Sequence, residues 1–388
     1  MKIGLALSGG GYRASVFHLG MLARLSEEGW LEDVKFISSV SGGSLVTGLI
    51  FQANGNQWPT SADYIEKVLP EAFRLLTTYN LQANVILDTL LKPLGLLTSR
   101  AKIVSRNLSS HWGIVGNLTD LPEEPRWVIN ATCYETGRLW RFEHFRMGDY
   151  IFGYTFDPQY PISEAIAASA GLPVAIGTMA VKTNRYRWVK YKENSTTETE
   201  PLSKPLFRKV HLWDGGVYDN LGLEPLVNYN NQKGEYAYRA GVDYLIASNA
   251  SGIIVEEKYV PWFKAIVRLI SIPKYQVEAL RSRDMIHRFI HHQDKGQYFK
   301  MGNSCRKLLG DIDRPGFDLE ETANKFLSKD IVDELSKFPT TIRKLSVKEF
   351  SQLFRHGYEV ADCTLYKHEN NISLRTYNND KWKGILTG

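Results

Sequence analysis

The sequence predicts an α/β fold built around a parallel sheet, and three observations carry that prediction. The first fifty residues alternate short apolar runs with helical patterns, and each run closes on a serine–glycine turn. Further apolar strand patterns recur at 126–132, 209–213 and 244–248, with helical stretches between them. The 388 residues are 43% hydrophobic and 12% aromatic, enough for a sizeable core.

Residues 2–7 (KIGLAL) read as a buried strand entering the turn Ser8-Gly9-Gly10-Gly11. Ala14 to Glu28 places Val16, Leu19, Leu22, Ala23 and Leu25 at helical spacing, and Gly29 follows as a cap. Residues 34–40 (VKFISSV) read as a second buried strand, and Ser44 to Phe51 as a helix. Residues 54–122 are mostly helical in pattern, broken at Pro59, Pro93 and Gly95. Residues 126–132 and 139–144 form strand patterns across a Thr136-Gly137 turn. A small-residue helix over 162–170 stops at Gly171 and Pro173. Residues 183–206 are polar and read as a surface excursion. Strands follow at 209–213 and 244–248, and beyond about 260 the pattern is mainly helical. The division expected is a catalytic unit over 1–250 and a helical extension over 251–388, packed on the same domain.

Composition narrows the class. Glycine and proline contents of 31 and 15 residues are ordinary and exclude collagen-like or linker arrays. A net charge of +5 allows a basic face but does not call for nucleic acid. Cys133, Cys305 and Cys363 are odd in number and widely spaced, so no disulfide framework is expected and a reducing, cytoplasmic setting fits. The N-terminal apolar run is too short for a signal peptide. The uncharged stretch Ala165 to Val181 carries Ser, Thr, Gly and Pro and is not expected to span a membrane.

Three motifs can carry chemistry. Ser39-Val40-Ser41-Gly42-Gly43 matches G-x-S-x-G except at Ser39. A nucleophile on a sharp strand-to-helix turn needs small neighbours, and the strand before and helix after Ser41 supply the context. The following helix N-terminus also offers N–H groups to a developing oxyanion. Gly9-Gly10-Gly11-Tyr12-Arg13-Ala14 permits close backbone approach, as an oxyanion hole, as a phosphate cradle or as a plain turn. Asp214-Gly215-Gly216, followed by Asp219 and Asn220, reads either as a turn or as a general base at a strand end.

Together these residues resemble the patatin-like phospholipases and, more loosely, the cytosolic phospholipase A2 group. The match runs in four blocks: GGGYRA at 9–14, SVSGG at 39–43, AIAASAGLP at 165–173 and DGGVYDNLG at 214–222. The resemblance implies a three-layer α/β/α fold with a mostly parallel sheet and a Ser–Asp dyad without histidine. It makes Ser41 the nucleophile and Asp214 the base. It assigns the oxyanion hole to Gly10, Gly11 and Gly42, with Gly9 and Arg13 shaping the loop. Ser39, Gly43, Gly215, Gly216 and Asn220 support the motifs. Ser39 stands where the elbow's first glycine belongs, and DGG replaces the commoner DGA.

The expected activity is that of a lipid acyl hydrolase of phospholipase A or lysophospholipase type, with no metal or organic cofactor. Acyl transfer or thioester cleavage by the same dyad, or non-catalytic anion binding at the glycine loop, are the alternatives. Nine histidines leave a triad open by composition; His287, His291 and His292 lack the companions of a metal site. The expected substrate is a phospholipid or other lipid ester. Leu81 to Leu97 and Pro261 to Ile270 are apolar segments suited either to a core face or to peripheral contact with the inner membrane face.

Overall fold

The computed structural model describes residues 1–91, 99–171, 176–192, 195, 197–230, 235–239, 241–253, 256, 258–261, 263–291, 295–312 and 317–387. Its strands are Ile3–Leu7 (β1), Val34–Val40 (β2), Arg126–Cys133 (β3), Arg138–Phe142 (β4), Arg146–Asp149 (β5), Gly153–Phe156 (β6) and Met179–Lys182 (β7). They continue with Val189–Tyr191 (β8), Thr199–Pro201 (β9), Lys209–Asp214 (β10), Val227–Asn230 (β11), Glu235–Tyr238 (β12), Tyr244–Asn249 (β13) and Gly296–Lys300 (β14). The helices begin with Gly11–Ser26 (α1), Gly42–Ala53 (α2), Ser61–Asp63 (α3), Leu69–Thr78 (α4), Leu81–Leu91 (α5), Arg100–Trp112 (α6) and Ile162–Ser169 (α7). Gly216–Asp219 (α8), Phe263–Ile290 (α9), Cys305–Leu309 (α10), Leu319–Ala323 (α11), Lys329–Ser336 (α12), Val347–His368 (α13) and Asn379–Thr387 (α14) complete them.

The heart of the main sheet is parallel, in the order β14-β13-β1-β2-β3. It continues antiparallel through β4, β5, β6, β8 and β9, and β10 runs antiparallel to both β3 and β7. Strand alternation divides the core between two faces. Leu5, Leu7 and Ile37 pack with residues of α1, α2, α7 and α13, while Ala6, Phe36, Val128 and Ala247 pack with Leu221, Leu226 and Met285 of α9. This is the expected three-layer α/β/α arrangement.

Several boundaries differ from the pattern. The first helix begins at Gly11 rather than Ala14, because Gly10 (φ 147°) and Gly11 (φ 61°) turn the strand directly into it. The second begins at Gly42. The polar excursion contains the short β8 and β9. The helical C-terminal half also contributes β14, whose register against β13 places it at the sheet edge. Its five residues, GQYFK, are too few and too mixed to announce a strand.

The C-terminal helix α13 lies directly on α1. A Cβ on Gly20 would stand 1.9 Å from the Phe354 carbonyl oxygen, and one on Gly357 would stand 2.0 Å from that of Phe17. Two glycines therefore let the backbones touch, and a buried Arg24–Asp362 pair at 2.6 Å fixes the crossing. One expectation is overturned beside this helix: Cys305 and Cys363 form a disulfide, with Cα atoms 5.9 Å apart, while Cys133 remains a buried thiol. The 58-residue separation hides the pairing; packing α10 against α13 creates it. The cysteine argument for a reducing setting therefore falls.

Among the described residues, no helix is long and apolar enough to cross a membrane. In the first apolar segment Leu81 and Val85 are buried, whereas Ile86 and Leu87 are exposed. Its residues 92–98, Trp262 of the second segment, His292 and the Leu172-Pro173 end of the third block lie outside the described residues.

Candidate active site

Strand β2 ends at Val40, and α2 starts at Gly42, so Ser41 alone makes the turn. Its backbone is at φ 52°, ψ −113°, a conformation that side chains rarely adopt. Small neighbours are obligatory here. A Cβ on Gly42 would stand 2.2 Å from the Gly11 carbonyl oxygen, one on Gly43 2.4 Å from that of Leu7, and one on Gly9 3.1 Å from the Ser41 Cβ.

The elbow is held by a line of serine hydroxyls. The Ser41 N–H donates to Ser169 Oγ at 3.0 Å; Ser169 Oγ lies 2.8 Å from Ser44 Oγ, which lies 2.9 Å from Ser39 Oγ. Trp127 Nε1 donates to Ser39 Oγ at 2.8 Å. Ser39, in the place of a glycine, is thus buried and fully engaged. Asn130 Nδ2 also donates to Ser38 Oγ at 2.9 Å and the Ser39 carbonyl at 3.0 Å.

Asp214 ends β10 beside this turn. The Gly216 N–H donates to its Oδ1 at 2.7 Å, and Thr132 Oγ1 donates to its carbonyl at 2.9 Å. Burial raises its carboxyl above the usual carboxylate value. The Lys274 charge, the Gly216 N–H and the neighbouring Ser41 hydroxyl oppose that rise by favouring the ionised form. Ser169 ties the two halves together: its hydroxyl takes the Ser41 N–H, and its carbonyl takes the Gly215 N–H at 3.2 Å. A Cβ on Gly215 would meet the Asn130 carbonyl at 2.4 Å, and one on Gly216 would meet Asn220 Oδ1 at 2.3 Å.

In the glycine loop the Gly9 N–H donates to the Asn220 carbonyl at 3.1 Å and the Tyr12 N–H to the Thr341 carbonyl at 2.8 Å. Arg13 donates through Nε to the Ala250 carbonyl at 3.2 Å and through Nη1 to that of Phe338. The Gly9 N–H and the Arg13 guanidinium therefore hold the loop to Asn220, Ala250 and Phe338. Among the described residues, the Gly10 and Gly11 N–H groups have no hydrogen-bond partner. Asn220 holds the loop in turn, donating to Ser251 Oγ at 2.6 Å and Glu278 Oε2 at 3.1 Å.

Ser41 and Gly11 line a cavity of about 450 Å³, with Leu45, Val85, Ile176 and Ile342 among its apolar walls. That volume is in the range of small-molecule sites. No histidine lines it among the described residues. His18 is buried elsewhere, 2.8 Å from Ser248 Oγ and 3.0 Å from the Ser8 carbonyl, with burial lowering its pKa to about 4.

Three contributions escaped the motifs. Ser169 lies inside the third block, but nothing in that pattern assigns it a partner. Lys274 arrives from α9. Thr340 to Ile342 join the cavity lining from the C-terminal region, with the Ile342 carbonyl accepting the Gln82 N–H at 3.2 Å. The stretch PTTI carries no signal that could have placed it there.

Fold and local geometry define an α/β protein with a serine on a strand-to-helix elbow against a buried carboxylate. The chain belongs to the patatin-like phospholipase family, whose model matches residues 5–227, more than half of its length. Phospholipase B of Cryptococcus neoformans var. grubii serotype A is 44% identical over 70 residues, which is 16% of this chain and 11% of that protein. Phospholipase B of C. neoformans var. neoformans serotype D is 44% identical over 69 residues, covering 15% and 11%. Human GIVD cytosolic phospholipase A2 superposes with a TM-score of 0.55 at 14% identity, covering 99% of this chain and 60% of that one. The chain thus spans only part of the length of these proteins, and the superposition reports the shared fold.

Proposed function

We propose that the protein is a lipid acyl hydrolase in which Ser41 is the nucleophile and Asp214 the general base. The observation that carries this reading is a strand-to-helix elbow serine that lines an apolar cavity and has a buried carboxylate, Asp214, beside it. Family membership supports a lipid ester as substrate. The cavity walls suit an acyl chain, and the exposed Ile86 and Leu87 of α5 suit peripheral contact with a bilayer.

The chemistry follows from the parts. Asp214 takes the Ser41 proton as Oγ bonds to the ester carbonyl carbon. The unpartnered Gly10 and Gly11 N–H groups, with the α2 N-terminus at Gly42, stabilise the oxyanion. The C–O bond then breaks, and the leaving alcohol receives the proton from Asp214. Water, deprotonated by the same carboxylate, attacks the acyl-enzyme carbonyl; the Oγ–C bond breaks, Ser41 takes the proton back from Asp214, and the fatty acid leaves. The raised pKa suits Asp214 to this work, because a more basic carboxylate is the better proton acceptor.

The test is fluorophosphonate labelling together with hydrolysis of a phospholipid and of p-nitrophenyl esters. Labelling at Ser41 is expected, and Ser41→Ala and Asp214→Asn should each abolish turnover, the double variant being little worse. A single His→Ala variant that folds and is as inactive as Ser41→Ala would overturn the dyad.

A further inference from the structure

At the opposite end of β2 from Ser41, a second cavity of about 100 Å³ opens between the starts of β2 and β3 and the β4–β5 hairpin. Phe36 on its wall lies five residues before Ser41, roughly 16 Å along a strand at about 3.3 Å per residue. Four arginines line it, Arg126, Arg141, Arg146 and Arg239, with a single acid, Glu143. The register explains the convergence. Phe36 is paired with Arg126, and Arg141 and Arg146 stand on neighbouring strands.

Arg126, Arg141 and Arg146 share a single acid. Glu143 is fully buried and accepts from Arg126 Nε at 2.7 Å and Arg146 Nε at 3.3 Å. It therefore pairs with two of the three arginines on β3, β4 and β5, and Arg141 is the third. Arg126 and Arg146 also share the Phe145 ring, at 4.5 and 5.2 Å. The Arg141 guanidinium has no hydrogen bond or ion pair among the described residues. Burial, and then the nearby Arg141 charge, hold the Arg239 guanidinium below its usual pKa. Arg239 Nε donates to the Val227 carbonyl at 3.3 Å, and the Glu224 charge opposes that lowering. Phe36, Val128 and Pro225 wall the cavity with apolar surface, which strengthens any charge interaction inside. Like charges gathered in a half-buried site are unfavourable unless an anion joins them.

We propose that this cavity is a separate anion site that takes the phosphoryl group of a phosphate ester. Guanidinium forks match phosphate oxygens bidentately. At about 30 Å³ of liquid volume per water, the space equals that of about three waters, which suits one phosphoryl group and leaves the rest of the ester outside.

The full chain is titrated calorimetrically with inorganic phosphate at constant ionic strength and, in a second arm, with phosphatidic acid vesicles against phosphatidylcholine vesicles. Saturable phosphate binding is expected, with a rise in Tm. Arg141→Gln, which removes a charged hydrogen-bonding group, should weaken it at least about tenfold while Ser41 labelling stays unchanged. Arg239→Gln, on a different segment, should do the same and serves if the first variant misfolds. Arg141-dependent binding to phosphatidic acid vesicles alone identifies a lipid headgroup as the source, and binding of free phosphate identifies a soluble ester. No saturable binding in either arm, or equal binding by wild type and the folded variants, overturns the proposal.

Discussion

Replacing Ser169 by alanine removes the acceptor of the Ser41 N–H, a bond of 3.0 Å in a buried elbow. Only one group is orphaned, because Ser44 Oγ keeps Ser39 Oγ at 2.9 Å. An unsatisfied buried donor costs about 1–3 kcal/mol. The φ of 52° at Ser41 stores strain of the same order, about 1–3 kcal/mol, and Ser169 is one of the groups that hold it. With that hold gone, the strain can relax by moving the nucleophile, and a shift of about 1 Å costs on the order of 100-fold in rate. Ser169→Ala should therefore lower Tm by a few degrees and kcat by about 10- to 100-fold. KM should hardly change, since Ser169 does not line the cavity. Steady-state kinetics on a p-nitrophenyl ester and the rate of fluorophosphonate labelling measure this, with Ser44→Ala as a milder control. A folded Ser169→Ala with kcat within about twofold of wild type, or an effect confined to KM, would refute the argument.

Three further outcomes can be checked. Lys274 lowers the Asp214 pKa, so Lys274→Met should move the acid limb of the kcat/KM profile to higher pH; an unmoved limb would separate Lys274 from the base. Gly42→Ala would put a Cβ 2.2 Å from the Gly11 carbonyl oxygen, and should cost turnover on the order of 100-fold in a protein that still shows a cooperative melt. His356 is buried and accepts the Gly302 N–H at 3.0 Å, and burial lowers its pKa from 6.5 to about 3. Its neutral form is favoured in the fold, so its contribution is complete above pH 6.5 and is lost as pH falls towards 3. The stability gap between wild type and His356→Gln in urea unfolding should accordingly narrow over that window.

Much of the N-terminal half was written locally. Apolar runs at 2–7 and 34–40 ending in glycine turns define β1 and β2, because a buried strand needs continuous apolar residues and a sharp turn needs small ones. The same local rule singled out Ser41 and the glycine loop. Asp214 was weaker in the sequence, since Asp-Gly is also an ordinary turn, and the family resemblance gave it a role. Tertiary structure decided what depends on distant partners. Strand β14 pairs with β13 although its five residues carry little pattern, because hydrogen bonding to an existing edge supplies what local sequence does not. Cys305 meets Cys363 only because α10 packs on α13. The acceptors of the Gly9 N–H and the Arg13 guanidinium are the carbonyls of Asn220, Ala250 and Phe338, far away in sequence. Ser169, Lys274 and Thr341 reach the site from separate segments, and a hydrogen bond or a charge acts across space without leaving any periodicity along the chain.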